Sequence, residues 1–262
     1  MIRIFSDSTC DLSKELIERY DITILPLHIL LGEEEFLDGV DITPDEIYKW
    51  SDEHKTTPKT SAVSIEDVMK AAGPYLDQGD EIISFSISDD MSTSGNVMHM
   101  AAAELEAEDR FHVINSANLS TGIGLLVIEA AIMAKEGKAS EEIITKIEEL
   151  KPLVRASFVV DTLTYLYRGG RCSGLAALAG GALKLHPQII VVDGAMKPAK
   201  KYRGNMLHVT LDYVKDMEKA MLNSHKDRVF ITHSGSDPKV VQEVYDYLEG
   251  LHYFDEICIT RA

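Results

Sequence analysis

Short runs of β-branched residues alternate along this chain with amphipathic helical windows, and this alternation limits the possible folds more than any other feature. Strand-like runs cover residues 2–6, 22–31, 81–86, 111–115 and 155–160, and windows with helical periodicity separate most of them. Such alternation builds right-handed βαβ units around a largely parallel sheet. We therefore expect ligand-binding loops at the carboxyl ends of the strands.

Two helix starts can be placed from capping residues. Thr43 stands before Pro44 and two acidic residues, and Ser64 stands before another amphipathic window. We expect the second of these helices to end near Gly73-Pro74, because proline lacks the N–H group that continues a helix.

The pattern changes after Lys151-Pro152. A short helix is expected at 162–168, a helix of small residues at 175–185, and a β-hairpin around the Asp193-Gly194 turn. The sequence therefore predicts an α/β protein of two domains. Residues 1–155 would form a mostly parallel, Rossmann-like three-layer sheet, and residues 156–262 would form a mixed sheet with helices.

Composition excludes several classes of function. The net charge of -17 argues against binding to nucleic acid or to anionic membranes, whereas a basic partner surface remains open. The three cysteines, Cys10, Cys172 and Cys258, are far apart, which fits a reduced, cytoplasmic protein. The first residues do not have the pattern of a signal peptide, and no apolar run approaches the ~18 residues of a membrane span. The acidity is compatible with a monomer.

Metal and nucleotide sites have no support in the sequence. The nine histidines are scattered, with no HExxH or CxxC spacing. No P-loop or GxGxxG motif is present, so we expect no cofactor.

A nucleophile is conceivable at Gly170-Arg-Cys-Ser-Gly174, a G-x-C-x-G pattern that could present Cys172. Such an elbow should follow a buried strand, yet residues 162–168 have a helical pattern. The other interpretation is a helix C-cap followed by a tight turn. A small hydrolase or acyl transferase that uses Ser92 or Cys172 is therefore the alternative function.

Hydroxyl side chains gather in three segments that should leave the sheet. Five of them lie in residues 86–96, between a strand and a helix, and others lie at Thr60-Ser61 and Asp7-Ser8-Thr9. Each cluster alone is typical of helix capping. Three loops that meet at one sheet edge instead favour a site for a carboxylate or phosphate. Neutral O–H donors suit a carboxylate that must be released, and no His-Asp pair is evident to make a serine nucleophilic.

An ordered set of segments resembles the DegV family, the bacterial fatty-acid-binding proteins that serve fatty acid kinase. The resemblance covers essentially the whole chain. The segments are Asp7-Ser8-Thr9-Cys10-Asp11, Thr60-Ser61-x-x-Ser64, Ser86-Ile87-Ser88-x-x-Met91-Ser92, Val113-Ile114-Asn115-Ser116, Leu163-x-Tyr165-Leu166-x-Arg168-Gly169-Gly170-Arg171 and Lys201-Tyr202-Arg203-Gly204.

The resemblance implies a lipid carrier without catalysis of its own. One long-chain fatty acid would lie between the two domains, and the second domain would close the acyl-chain tunnel. The carboxylate would be held by Thr60, Ser61, Ser92 and Thr93 together with neighbouring backbone N–H groups. The fatty acid kinase would phosphorylate that carboxylate, and the acyl phosphate would pass towards phospholipid synthesis. Arg171 would take part in docking to the kinase.

Three positions depart from the family pattern. Residues 60–64 read Thr-Ser-Ala-Val-Ser where the family often has Thr-Ser-Gln-Pro-Ser, so the loop lacks proline stiffness. Thr93 and Ser94 stand where glycine and threonine usually follow the binding serine. The family pattern continues into a His-x-Gly-Pro-Gly segment whose histidine reaches the head group, and the sequence reaches Arg261-Ala262 before it.

A bound acyl chain requires an enclosed apolar tunnel, because each buried methylene contributes about 0.8 kcal/mol. The candidate wall residues are large apolar side chains and small residues of the 175–185 window. They are Leu27, Ile29, Met98, Ile123, Leu126, Leu178, Leu183, Ala176, Ala177, Ala179, Gly180 and Gly181. The alternative for each residue is a place in the ordinary core.

Overall fold

A computed structural model describes residues 1–170 and 185–262. The chain divides into two compact units: unit 1 comprises Met1–Arg155 with Asp193–Ala195, and unit 2 comprises Ala156–Val192 with Met196–Ala262. Arg171, Cys172 and all but the last residue of the expected 175–185 helix lie outside the described residues.

Unit 1 contains most of the elements that the alternating pattern predicts. Its strands are β1 (Ile2–Asp7), β2 (Ile22–Leu25), β3 (His28–Leu31), β4 (Glu34–Leu37), β5 (Lys59–Ser61), β6 (Glu81–Ser86) and β7 (Phe111–Asn115). Its helices are α1 (Lys14–Tyr20), α2 (Pro44–His54), α3 (Ile65–Asp77), α4 (Ser94–Glu104), α5 (Thr121–Lys135) and α6 (Ser140–Leu150). Thr43 and Ser64 both form the expected N-caps, each within a capping box.

A parallel sheet with the order β2-β1-β6-β7 forms the centre of unit 1. β1 pairs in parallel with β2 on one side and with β6 on the other. The α/β class with a parallel first sheet is therefore confirmed. Because all four strands run in one direction, the loops that follow β1, β6 and β7 leave from the same edge of the sheet.

One face of this sheet packs against α3 and α4. Phe5 of β1 is fully buried there, and its ring makes edge contacts with Tyr75 and Phe111 at centroid distances of 5.8 and 6.4 Å. Val68 of α3 and Met98 of α4 belong to the same buried cluster. This cluster fixes both helices on the sheet.

The expected end of α3 near Gly73-Pro74 is wrong, because the helix continues through Pro74 to Asp77. The two residues after the proline explain this continuation. Leu76 is buried in the core cluster, and Tyr75 packs against Phe5. Apolar burial of this kind contributes about 1.5–3 kcal/mol per side chain, comparable to the ~3 kcal/mol penalty of an internal proline.

α5 crosses the opposite side of β1 at a short distance, and Gly124 makes that approach possible. A Cβ atom at this position would lie 2.7 Å from Leu12 Cδ2 and 3.1 Å from the carbonyl oxygen of Cys10. A larger residue at 124 would therefore push α5 away from the turn that follows β1.

A second, three-stranded sheet with the order β4-β3-β5 was not predicted from the sequence. Both neighbours of β3 are antiparallel to it. His28 of β3 joins this sheet to α3, since Nδ1 lies 2.7 Å from Glu35 Oε1 and Nε2 lies 2.8 Å from Asp67 Oδ2. Burial lowers the pKa of His28, but the hydrogen bonds to the two carboxylates outweigh burial and raise it.

Unit 2 combines antiparallel and parallel strands with helices. Its elements are β8 (Ser157–Val159), α7 (Thr164–Arg168), β9 (Leu185–Val192), β10 (Ala195–Arg203), α8 (Met206–Met221), β11 (Val229–His233), α9 (Pro238–Gly250) and β12 (Ile257–Arg261). Among the described residues these strands lie in two sheets, β10-β9-β8 and the parallel pair β11-β12. The expected hairpin forms between β9 and β10, with Asp193 and Gly194 both at positive φ.

Replacing Phe5 with alanine tests the importance of the cluster under β1. We expect Phe5→Ala to lower the free energy of unfolding by about 3–5 kcal/mol, the usual cost of a cavity at a buried phenylalanine. Phe36→Ala is the matched control, since Phe36 is only partly buried and packs against the small β4-β3-β5 cluster. Chemical denaturation of both variants measures the difference, and equal losses would contradict the central role of Phe5.

Candidate functional site

The carboxyl group of Asp7, at the end of β1, joins this strand to the loop after β6. Asp7 is fully buried, and its Oδ2 accepts the backbone N–H of Ile87 at 2.9 Å. Thr9 donates its hydroxyl to Oδ1. Burial raises the pKa of Asp7 to about 6, although the hydrogen bonds from Thr9 and Ile87 act in the opposite direction. Asp7 therefore fixes the β6–α4 loop to the end of β1.

Ser8 connects the same strand end to the second sheet. Its Oγ donates to Asp38 Oδ2 at 2.7 Å and accepts the backbone N–H of Leu27 at 3.1 Å. The segments before β3 and after β4 are thereby attached to the end of β1. The one O–H donor of Ser8 is committed to Asp38, so this side chain serves the framework of the site.

Asp11 completes a group of three carboxyl groups around the end of β1. Burial is the main cause that raises its pKa to about 7, the hydroxyl of Ser120 opposes that rise, and the charges of Asp38 and Asp7 add to it. Ser120 itself has a positive φ of 52° at the start of α5. Asp7, Asp11 and Asp38 thus place three carboxyl side chains near the end of β1.

The loop after β6 is also attached to the loop after β7. Ser88 donates its backbone N–H to the carbonyl of Asn118 at 2.9 Å, and Asn115 Nδ2 donates to Asp89 Oδ2 at 2.8 Å. The backbone N–H of Ser116 donates to the carbonyl of Ser86 at 3.1 Å. The loops after β1, β6 and β7 thus converge at one edge of the sheet; of the three segments that the sequence predicts to meet there, those after β1 and β6 are among them.

Ser92 and Thr93 stand at the start of α4. Ser92 is half-buried, and its Oγ accepts the backbone N–H of Ser94 at 3.3 Å and lies 2.9 Å from Ser94 Oγ. Thr93 is exposed and is the N-cap residue, yet its side chain makes no capping bond. Within the described residues, the N–H groups of Gly95 and Asn96 donate to no other group. Open N–H groups at a helix start are a favourable site for an anion.

Gly95 is required by the packing under this helix start. A Cβ atom there would lie 2.8 Å from Asp89 Oδ1 and 2.9 Å from Ser86 Oγ. The buried Ser86 Oγ has no hydrogen-bond partner in the described part of the chain. The glycine that the family pattern places after the binding serine is replaced by Thr93, and a glycine two positions later keeps the backbone close to Ser86.

Thr60 and Ser61 lie on β5, in the second sheet, and not on a loop of the parallel sheet as expected. Among the strands of residues 1–170 and 185–262, β5 pairs only with β3, with Ile29 opposite Thr60 and His28 opposite Ser61. Both hydroxyl side chains are exposed, and across residues 1–170 and 185–262 they form no hydrogen bond. Ser64, three residues on, is committed to its capping box with Asp67.

The structure brings the two halves of the predicted site into one unit through the β1 end. Ser8 attaches the second sheet, which carries Thr60 and Ser61, and Asp7 attaches the loop that carries Ser92 and Thr93. No hydrogen bond joins the two pairs directly among the described residues. A ligand carboxylate is the kind of group that could accept from both.

The candidate tunnel residues of unit 1 occupy core positions. Met98, Ile123 and Leu126 are at most 2% exposed, and Ile29 is 5% exposed. Leu27 is partly buried and packs against the cluster that contains Phe5. The remaining candidates lie outside the described residues: Leu178, Leu183, Ala176, Ala177, Ala179, Gly180 and Gly181.

Several residues of the site carry no signal in the sequence. Asp38 is a single acid after a strand that was not predicted, and Asn118 is an isolated amide in a loop.

Among the residues that the structure describes, no group of three His, Cys, Asp or Glu side chains could hold a metal ion. No helix in the same residues has both the length and the apolar character to cross a membrane.

Comparison with known proteins gives concordant matches. A family model described as "Uncharacterised protein, DegV family" matches residues 1–260. A DegV domain-containing protein of Clostridium perfringens is 36% identical over 221 residues, which cover 84% of this chain and 76% of that protein. The structure of a DegV family protein from Thermus thermophilus, described as binding fatty acid, matches with a TM-score of 0.87 at 28% identity. The match covers 99% of this chain and 92% of that chain. A stearic acid-binding protein from Eubacterium ventriosum has a TM-score of 0.88 at 30% identity, with coverages of 98% and 90%.

The raised pKa of Asp7 predicts a pH dependence of stability. The folded protein holds this proton more tightly than the unfolded chain does, so Asp7 lowers stability as the pH rises from about 4 through about 6. Asp7→Asn has no carboxyl group to titrate at this position, so it lacks this loss of stability. Between about pH 4 and pH 6 its free energy of unfolding should therefore rise, relative to that of the parent, by on the order of 3 kcal/mol. Denaturation at a series of pH values measures the gain.

Asp77→Asn serves as the control for this measurement, since Asp77 is exposed at the end of α3. Its profile should run parallel to that of the parent protein. An Asp7→Asn profile that is also parallel would show that Asp7 has an ordinary pKa.

Proposed function

The chain belongs to the DegV family, and from this membership we propose that it binds a long-chain fatty acid and presents the carboxylate to a fatty acid kinase. The kinase forms an acyl phosphate on the bound lipid, which then passes towards phospholipid synthesis in the cytoplasm. The protein itself is a carrier in this proposal and catalyses no step. The second domain, residues 156–262, would close the acyl-chain tunnel.

The start of α4 is the observation that supports this function most directly. In the part of the chain that the structure describes, the backbone N–H groups of Gly95 and Asn96 have no hydrogen-bond partner, and both residues closely follow Ser92 and Thr93 in the sequence. These donors are neutral, so they can fix a carboxylate without the strong hold of a salt bridge. Two structural neighbours described as binding fatty acid or stearic acid have the same fold over nearly the whole chain.

Thr60 and Ser61 would complete the head-group site from β5. Their exposed hydroxyls make no bond within the described residues, and their strand is attached to the β1 end through β3 and Ser8. Ser92 would exchange its contact with Ser94 Oγ for the ligand oxygen, since a hydroxyl can rotate at little cost. In this arrangement the head group sets the orientation of the lipid, and the enclosed tail supplies most of the binding energy.

Mass spectrometry of an organic extract from the purified protein tests the proposal. We expect about one fatty acid per chain. Ser92→Ala should weaken the binding of added stearic acid by roughly 10- to 100-fold, the effect of one hydrogen bond to a charged group at about 1.5–3 kcal/mol. Shortening the acid by two methylenes should weaken binding by about 15-fold, at ~0.8 kcal/mol for each methylene.

The matched control is Ser13→Ala, which removes the hydroxyl that caps α1 and should leave lipid affinity unchanged. A delipidated protein that binds no added fatty acid would contradict the proposal. Turnover of a chromogenic ester that disappears in Ser92→Ala or Cys172→Ala would instead support the hydrolase or acyl transferase.

Arg171 is proposed to dock the kinase and not to hold the lipid. With a fatty acid kinase as the partner, Arg171→Ala should lower acyl phosphate formation at limiting carrier concentration, because a charged contact at the docking surface is lost. Its affinity for stearic acid should equal that of the parent. Arg155→Ala is a control of the same charge change, and equal loss of lipid affinity and kinase coupling in Arg171→Ala would refute this division of roles.

A further inference from the structure

The outer edge of β7 offers backbone hydrogen-bonding groups that the sheet does not use. β7 is the last strand in the order β2-β1-β6-β7 among the described residues. On its β6 side, Ile82 donates to the carbonyl of Arg110 at 2.7 Å and Ser116 donates to the carbonyl of Ser86 at 3.1 Å. Backbone direction alternates along a parallel strand, so the N–H and C=O groups of Val113 between them point away from β6.

A cavity of 380 Å³ runs along this same edge. Four consecutive residues of β7, from 111 to 114, form its floor. His99 and Ala102 of α4 form one wall, and Ile144 and Glu148 of α6 form the other. Because residues of α4 and α6 line it on either side of β7, the cavity is a groove that follows the strand. We call it the β7 edge groove.

The edge itself lacks the usual protection against strand pairing. Natural sheets cover their edges or interrupt them with proline, lysine or a bulge. β7 reads Phe-His-Val-Ile-Asn and contains none of these residues. Val113 at its centre is only partly buried, although it packs against the core cluster.

The groove is acidic at the end where β7 begins. Glu108 lines the groove, and three further carboxylates lie within four residues of it in the sequence: Glu104 at the end of α4, and Glu106 and Asp109 between α4 and β7. All four are exposed, and in the described part of the chain none has an ion-pair partner. Arg110, the one cation of this segment, donates to the carbonyl of Leu76 at 2.9 Å. The negative charge of these carboxylates is therefore complementary to a cationic ligand.

We propose that the β7 edge groove binds an extended, lysine- or arginine-bearing segment of a partner protein, which adds to the sheet as a strand beside β7. The backbone of Val113 supplies the ladder bonds, and the acidic segment selects for positive charge. The site is separate from the proposed head-group site, so it does not depend on lipid binding. A second copy of this chain fits the edge less well, because each copy carries a net charge of -17.

A synthetic peptide can test this inference on the whole chain. The probe is an acetylated, amidated and fluorescein-labelled nonapeptide in which lysine alternates with valine. We expect saturable binding by fluorescence anisotropy that weakens as salt is added. The amide hydrogen exchange of Val113 should slow when the peptide is bound, since its N–H enters a ladder bond. The same peptide with glutamate in place of lysine should not bind.

Two variants divide the contributions. Val113→Pro removes the outward N–H of residue 113 without removing a bond to β6, and edge strands tolerate proline at such a position. This variant should bind the peptide about tenfold more weakly. Glu108→Gln removes one charge at the mouth of the groove and should weaken it by about two- to fivefold, with a smaller salt dependence. Glu15→Gln on α1, an exposed acid outside the groove, should have no effect.

Several results would overturn the inference. They are the absence of peptide binding to the parent protein, and binding that both Val113→Pro and Glu108→Gln leave intact. Equal binding by a peptide whose backbone is N-methylated at alternate residues would show that charge alone attracts the probe. Self-association of the chain that Val113→Pro abolishes, without peptide binding, would assign the edge to a second copy. If Val113→Pro does not fold, Glu108→Gln and the N-methylated peptide still decide the outcome.

Discussion

The parallel pairing of β1 with strands on both of its sides is the constraint on which the candidate site depends. A strand in this position is covered on both faces, and the loops that follow its parallel neighbours leave from the same edge as its own end. Asp7 occupies that end, and its buried carboxyl group accepts the N–H of Ile87. A charged group withdrawn from water is tolerated there because its oxygens are hydrogen-bonded. The loop that leads to α4 is therefore attached to β1 through the carboxyl group of Asp7.

Sequence patterns predicted the fold where segments are long and periodic. The four parallel strands and their helices follow from alternating runs, and the caps at Thr43 and Ser64 were placed correctly. The end of α3 was wrong because local chemistry at Pro74 competes with the burial of Leu76, which no local pattern shows. β4 and β5 were missed because strands of three or four residues, paired through distant chain segments, carry almost no periodicity.

The candidate site was predicted in part for the same reason. Clusters of hydroxyl residues beside strand ends mark Ser92 and Thr93, since strand direction alone brings such loops together. The location of Thr60 on a separate sheet depends on its pairing with Ile29, a contact between residues that are about 30 positions apart in the sequence. Asp38 is one acid among many, and only its hydrogen bond with Ser8 distinguishes it. Isolated residues gain a role through tertiary contacts, and sequence patterns do not record those contacts.

The attachment of β5 by one neighbour has a consequence for timing. The three exposed residues of β5, which pair only with β3 among the described strands, can separate from it without opening the clusters that contain Phe5 and Ile29. Under the proposed function, such a local opening would free one side of the carboxylate while the tail stays enclosed. The head group would then exchange between held and free states many times during the residence of a single lipid. An enzyme acting on that oxygen would wait for the strand to open and not for the lipid to leave.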